Sequence, residues 1–426
     1  MTDDSQSSKH GPQKAKIGFC DCNVHCLFYI GGMEKPTAAP SSEFEDFEAA
    51  HNRQALDPSV LPARAQKGRG AISNNNGRYE KLSHQAYDDG WLMENIDRGT
   101  GVESDDDFPP ARVKTTLGVD GARSVITRNQ SPDVPFDRSI NPYRGCEHGC
   151  VYCFARPTHA YLGLSPGLDF ETKLFWKPEA PALLRKQLAA KSYMPAPIVI
   201  GTSTDPYQPV EREKQLTRNI IQVLADCRHP FSIITKSALV CRDIDLIAPM
   251  AKQNRASVAV SVTSLDNRLS NLLEPRAGAP HRRLDAIAKL SDAGIPVTVL
   301  CAPIIPGLND NEIENLVAAC HKAGAQSVSH IVLRLPLEIA DLFDEWLQNH
   351  YPDRRDKVIS LIKQMRDGKL YDANFGSRMR GSGPIADLIA QRFNLARRKH
   401  NMAGRSLNLD CSGFVRPGAN GQLSLF

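Results

Sequence analysis

The chain has 426 residues, 41% of them hydrophobic, with eleven cysteines and a net charge of +4. That is length and apolar content for a sizeable core, in one large domain or two ordinary ones, and the mild positive charge permits nucleic-acid binding without arguing for it. No stretch of about 18 apolar residues argues for a membrane span, and the polar start MTDDSQSSKH lacks an export-signal core. A cytoplasmic protein is expected, and in that reducing compartment clustered cysteines point to metal or catalysis before disulfides.

Residues 1–66 are rich in Ser, Ala, Pro, Asp and Glu without sustained periodicity, which predicts a disordered tail. Within it Cys20, Cys22, His25 and Cys26 stand close enough in sequence for a second metal site, but nothing around them predicts a supporting fold. Residues 67–138 carry Gly- and Arg-rich turns (GRGAISNNNGRYE) and an acidic loop, Glu103 to Asp107, and read as an irregular extension packing on a core. From Ser139 short β-branched runs alternate with helical patterns. Strands are predicted near Ser139–Pro142, Pro197–Gly201, Phe231–Thr235, Ser257–Val262, Pro296–Cys301 and Ser327–Leu333, with Leu168–Trp176 adding a short extra strand. Between them lie amphipathic segments over 178–190, 211–226, 242–253, 281–293 and 310–323; Gly294 and Gly324 follow two of them where a helix end favours a left-handed residue.

Runs such as IVIG and VAVSV are apolar on both faces, as in a parallel sheet covered by helices. The fold class expected for residues 139–336 is therefore α/β, an incomplete (β/α)6 barrel in preference to a flat doubly wound sheet. Further helices are predicted over 338–349, 354–367 and 384–400, making 337–410 a C-terminal helical segment. Arg392, Arg397, Arg398 and Lys399 on the last of these form either a solvated face or a nucleic-acid contact. Residues 411–426 read as a flexible tail.

The densest chemistry lies in RGCEHGCVYC. Cys146, Cys150 and Cys153 are spaced C-x3-C-x2-C, on the loop after the first core strand. Three thiolates can bind three irons of a [4Fe–4S] cluster, which normally takes four cysteine ligands. The next cysteine in sequence is Cys227, so one iron would be left open to a substrate or cosubstrate. Gly145 and Gly149 allow the loop to fold tightly. The competing reading is zinc with His148 as fourth ligand, although zinc sites usually bring a second C-x2-C knuckle.

These residues, with an aromatic before the third cysteine, resemble the radical SAM (S-adenosylmethionine) superfamily. More narrowly, NPYRGCEHGCVYCFAR, GTSTDPYQPVE, IITKS, SVTS, LLEPRAG and PIIPGLND resemble the branch related to spore photoproduct lyase, within a bacterial group whose members also carry the GRGA and ITRNQSPDVPFDRS segments. The resemblance implies a [4Fe–4S] cluster on Cys146, Cys150 and Cys153 and S-adenosylmethionine on the open iron. It implies a 5′-deoxyadenosyl radical that takes a hydrogen atom from substrate, and an electron donor such as flavodoxin or ferredoxin. It places Tyr152 near the adenine, Thr204 and Asp205 at the methionine amino group, Lys236 at the methionine carboxylate and Ser261 at a second polar contact to the same moiety. Arg276 would add charge for a carboxylate or the substrate, and Ile304 would flank the adenine. Singly, each residue also has an ordinary reading: Asp205 as a turn start, Lys236 as a solvated lysine, Ser261 as a core hydroxyl. Spore photoproduct lyase uses a cysteine hydrogen donor just before the positions matching Thr204 and Asp205; here GTSTDP contains none, so the same lesion chemistry does not carry over.

The chain closes on QLSLF behind a Pro- and Gly-containing tether. This resembles the peptide by which bacterial repair and replication proteins bind the DNA polymerase sliding clamp. Leu423, Leu425 and Phe426 would be apolar anchors and Gln422 a directional hydrogen-bonding group. The ordinary reading is a tail folded back on its own domain. The leading expectation is a radical SAM enzyme acting on DNA or a DNA lesion. The alternatives are radical modification of tRNA, a protein or a metabolite, and a non-catalytic iron–sulfur or zinc module recruited to the clamp.

Overall fold

The computed structural model describes residues 65–80, 113–404 and 407–418. Cys20, Cys22, His25 and Cys26, the acidic loop and the terminal Gln422, Leu423, Leu425 and Phe426 lie outside the described residues.

Among the described residues ten strands follow in chain order: β1 Thr116–Val119, β2 Ile126–Arg128, β3 Arg138–Ile140, β4 Tyr143–Arg144, β5 Lys173–Trp176, β6 Ile198–Ile200, β7 Phe231–Thr235, β8 Ala256–Ser261, β9 Val297–Ile304 and β10 Ser327–Val332. The main sheet has the order β10-β9-β8-β7-β6-β3-β2. Its strands from β3 to β10 pair in parallel, and β2 closes the edge antiparallel to β3. β1, β5 and β4 form a second, three-stranded sheet. The main strands are apolar runs buried on both faces, as the parallel arrangement requires: Ile198, Ile200, Phe231, Ile233, Val258, Val260, Val297 and Val299 on one face are all at most 1% exposed, and Val199, Ser232, Ala259 and Leu300 on the other are buried too.

Eight helices flank or follow these strands: α1 Leu168–Thr172, α2 Ala180–Ala189, α3 Glu211–Lys214, α4 Leu216–Asp226, α5 Ile244–Ala251, α6 Asn267–Leu273, α7 Pro280–Asp292 and α8 Ile313–Lys322. Two departures from expectation are local. Leu168–Trp176 is not one strand: Leu168–Thr172 coil into α1, where the Thr172 hydroxyl donates to the Leu168 carbonyl at 2.8 Å, and only Lys173–Trp176 extend. The helix expected over 211–226 breaks at Gln215, which takes φ 47°. Glu211 lies across the break and accepts the Thr217 amide at 3.0 Å, starting α4 afresh.

The C-terminal segment adds α9 Ile339–His350, α10 Pro352–Gln364, α11 Ser377–Arg380 and α12 Gly383–Lys399. Trp346, Leu347, Val358 and Ile362 share an apolar cluster with Cys150, Val151, Tyr152, Leu273 and Ile305. These helices therefore wall one side of the cysteine loop. The segment from residue 411, expected to be flexible, is fastened as far as Arg416. The Val415 amide donates to the Cys227 carbonyl at 2.8 Å, and the Phe414 ring meets His229 edge-on at 5.3 Å.

Candidate active site around the cysteine loop

The cysteine loop leaves the sheet just beyond β3, after the short β4, so it lies at the C-terminal ends of the parallel strands, where β/α folds gather their working loops. Successive tight turns shape it. The Gly149 amide donates to the Cys146 carbonyl at 3.3 Å, Cys153 to Cys150 at 3.2 Å, and Arg156 to Cys153 at 3.1 Å. Gly145 and Gly149 stand at φ 73° and 66°. A Cβ on Gly149 would lie 2.7 Å from a Glu171 carboxylate oxygen, so side chains cannot fill this cradle.

All three thiols are free. Cys146 and Cys150 are buried, and both neighbouring thiols act electrostatically on Cys146. Burial pushes the Cys146 thiol well up and that of Cys150 up to about 12. Buried thiols this close resist ionising together unless a metal displaces their protons. Within the same loop, His148 Nδ1 lies 3.3 Å from the Asp205 carboxylate. Among the described residues no three His, Cys, Asp or Glu side chains converge on a single metal ion. Three soft thiols on glycine-shaped turns suit a polynuclear cluster better than the zinc alternative with His148.

Asp205 lies just past β6. Its Oδ1 accepts from the Tyr207 amide at 2.9 Å and the Thr235 hydroxyl at 2.7 Å, and its Oδ2 from the Lys236 amide at 2.7 Å. Burial would raise its pKa, but the adjoining His148 ring and these donors hold it at about 2. With three donors bound and His148 beside Oδ2, the carboxylate is largely committed inside the protein. It braces the ends of β6 and β7, and so differs from the expected free acceptor for an ammonium group. Thr204 is also committed: its hydroxyl donates to the Tyr143 carbonyl at 2.8 Å. Arg276, expected to face a carboxylate or substrate, instead meets Glu147 at 3.1 Å.

Lys236 and Ser261 stand at adjacent strand ends, since Thr235 pairs with Val260. The backbone of Lys236 is fixed on two sides, by Asp205 and by the Gly278 amide donating to its carbonyl at 3.2 Å. Its ammonium group reaches 5.9 Å from the centre of the Tyr152 ring. Burial opposes that charge, but the nearby Cys150 sulfur and Glu274 carboxylate outweigh it and raise the pKa. Ile304 ends β9, fully buried, and its register partner is Val332. The structure thus brings Cys146, Cys150, Cys153, Tyr152, Lys236, Ser261 and Ile304 to the same end of the sheet.

Two buried networks escaped the sequence reading. Glu274 binds Arg283, the Tyr152 hydroxyl and the Thr263 hydroxyl, the last at 2.6 Å. It thereby seats the aromatic ring of the cysteine motif. Its position in LLEPRAG was the available signal. Glu171 pairs with Arg156, both with side chains at 0% exposure. Arg156 also donates to the carbonyls of Cys150 at 2.8 Å and Gly149 at 3.1 Å. The second Glu171 contact is to the GRGA segment: its carboxylate accepts the amides of Gly70 at 3.0 Å and Ala71 at 2.8 Å. Partners a hundred residues apart leave no local signal. A cavity of about 500 Å³ opens beyond Glu274, lined by Asn267, Arg268, Asn271, Gly278 and His281, with none of the three cysteines in its wall.

The sequence model of the radical SAM superfamily matches residues 140–320. An uncharacterised protein of Mycobacterium tuberculosis is 39% identical over 261 residues, which is 61% of this chain and 75% of the relative. The chain belongs to the radical SAM superfamily. An uncharacterised protein of Methanocaldococcus jannaschii is 33% identical over 174 residues, 41% of this chain and 62% of that protein. Among solved structures, spore photoproduct lyase complexed with dinucleoside spore photoproduct matches with a TM-score of 0.48 and 15% identity, covering 69% of this chain and 82% of that one. The superfamily's cofactors are a [4Fe–4S] cluster and S-adenosylmethionine, and its members draw electrons from a reductant. No helix of the described residues is long and apolar enough to cross a membrane.

Proposed function

We propose that Cys146, Cys150 and Cys153 hold the [4Fe–4S] cluster of this radical SAM enzyme, and that its substrate is DNA or a DNA lesion. The observation that carries the site is the set of three thiols at the C-terminal strand ends with the Lys236 ammonium group 5.9 Å from the ring centre of Tyr152, within the cysteine motif. When bound, the cluster and S-adenosylmethionine supply a 5′-deoxyadenosyl radical. The chain's own residues bind, orient and exclude water. Lys236 offers a cation to the carboxylate of S-adenosylmethionine, and Ser261 lies at the neighbouring strand end. Tyr152, seated by Glu274 and Thr263, and Ile304 present the apolar flank for the adenine. Asp205 acts one step back, fixing the backbone of Lys236.

The nucleic-acid assignment draws on the QLSLF terminus, whose Gln422, Leu423, Leu425 and Phe426 fit a clamp-binding peptide. Recruitment by a tether removes the need for a strongly basic surface, in keeping with the net charge of +4. Anaerobic reconstitution tests the site. The protein should take up iron and sulfide and form 5′-deoxyadenosine on reduction. The same product from a protein with all three cysteines changed to Ala would overturn the assignment. For the tail, affinity for the sliding clamp should drop at least tenfold when residues 422–426 are removed, by roughly the energy of one apolar anchor; equal affinities would end the recruitment reading.

A further inference from the structure

Beyond β10 the chain places Arg334 beside the cysteine loop and two further arginines around Arg334. Arg334 lies two residues past the end of β10, partly exposed, with its guanidinium 4.9 Å from the ring centre of Phe154, the residue after Cys153. Arg366 is 2% exposed. Its Nη2 donates to the Leu333 carbonyl at 2.7 Å, while its Nε and Nη1 are enclosed without a hydrogen-bond partner. Arg378 is buried and matched: it forms an ion pair with Asp133 and donates to the Ser131 hydroxyl at 2.7 Å. The Phe375 ring, 56% exposed, covers Arg378 at 4.4 Å. The carboxylates near this group are Asp133 and Asp372, and Asp372 already accepts from the Ser377 hydroxyl and from the Asn374 amide at 2.9 Å. Three guanidiniums against two carboxylates leave one positive charge over.

A guanidinium cannot shed its proton, so the surplus charge of this group favours an anion at Arg334, its accessible member. Burial lowers the pKa of both Arg334 and Arg366, the direction expected for cations short of counter-charge. The planar fork of arginine matches the oxygens of a phosphate, and aromatic rings beside it suit a base or sugar. We infer that Arg334 and Arg366, with Arg378 behind them, form a subsite for a phosphodiester group of a nucleic-acid strand, and that this subsite sets the strand against the cysteine loop. The inference rests on the nucleic-acid reading above. It deepens that reading by assigning substrate contact to residues outside the stretch, 140–320, that matches the superfamily.

The test is binding, separate from turnover. A fluorescent deoxythymidine decamer and the same decamer with uncharged methylphosphonate linkages are titrated into the cluster-loaded full-length protein at several salt concentrations. The wild type should prefer the phosphodiester strand. Arg334→Gln should weaken its binding about tenfold and lower the salt slope by about one, the signature of one lost phosphate contact. Arg366→Lys should act in the same direction. Arg185→Gln, an arginine of α2 paired with Asp226, should leave the slope unchanged and serves as the control. Arg334→Gln is the deciding variant, because its partial exposure spares the fold; thermal melting checks this. Unchanged affinity and slope in Arg334→Gln overturn the subsite while leaving the nucleic-acid reading intact. A wild type that binds neither decamer overturns that reading, and the subsite with it.

Discussion

Gly70 has no room for a side chain: a Cβ there would stand 1.7 Å from the Gly149 carbonyl oxygen. The close approach lets the Gly70 and Ala71 amides reach Glu171, which in turn binds Arg156, the residue that gathers the carbonyls of the cysteine loop. Gly70→Ala should therefore displace the loop. The expected outcome is a folded protein that retains less than half the wild-type iron after reconstitution, read by iron analysis and by cluster absorbance; wild-type iron content would show that the loop holds its shape unaided. His229 makes a second prediction at this scale. Its Nδ1 lies 2.9 Å from the Pro230 carbonyl and must carry the hydrogen, so Nε2, 2.8 Å from the Tyr193 hydroxyl, accepts. The ring is neutral, and burial pushes its pKa from 6.5 down to about 4. The unfolded chain takes up a proton in that interval and the folded chain does not. Stability is therefore full above pH 6.5 and declines as pH falls toward 4, by on the order of 3 kcal/mol from this group. Urea unfolding at neutral and acid pH measures it, and His229→Gln should flatten the dependence.

At the scale of elements, Glu211 joins three pieces of structure. It accepts the Thr217 amide at the start of α4, the Tyr143 hydroxyl of β4 and the Arg242 guanidinium before α5. Removing one partner of a buried charged network leaves the others uncompensated. Glu211→Ala should destabilise the fold by about 3–5 kcal/mol, seen as a lower denaturant midpoint with the slope kept. A change under 1 kcal/mol would mean that Arg242 and Asp243, also paired, suffice without it. The helix break at Gln215 belongs to the same device: amphipathic spacing runs through 211–226, but a carboxylate aimed at Thr217 needs the chain to turn there. Periodicity reports which face is buried and is blind to that turn.

For the molecule as a whole, the core is wrapped from both ends of the chain. Residues 66–76 reach the cysteine loop through Glu171 and Asp169, and the C-terminal helices cover its other side through Trp346 and its neighbours. Past the last helix, Asp410 pairs with Arg255 at 3.1 Å, and Phe414 packs on His229 and Tyr193. A chain ending at Leu409 should lose roughly 2 kcal/mol, from one large apolar side chain and its accompanying hydrogen bonds. Thermal melting beside Phe414→Ala would apportion the loss, and an unaltered melting point would show the strap to be dispensable.

Much of this was open to sequence reading because it depends on neighbours in the chain. Two-sided apolar runs announced the six core strands, left-handed glycines the helix ends at Gly294 and Gly324, and the C-x3-C-x2-C spacing a single loop of three free thiols. The resemblance to the superfamily also pointed to Lys236, Ser261 and Ile304, which lie at the ends of β7, β8 and β9. Only the tertiary structure decided how those residues are used. Asp205 and Thr204 turned out to be committed to the backbone, Arg276 to Glu147, and the loop to Arg156, Glu171 and Gly70, since each depends on a partner that folding brings from far along the chain. Spacing specifies what a loop can bind; burial and distant partners specify which of its charges remain available to bind it.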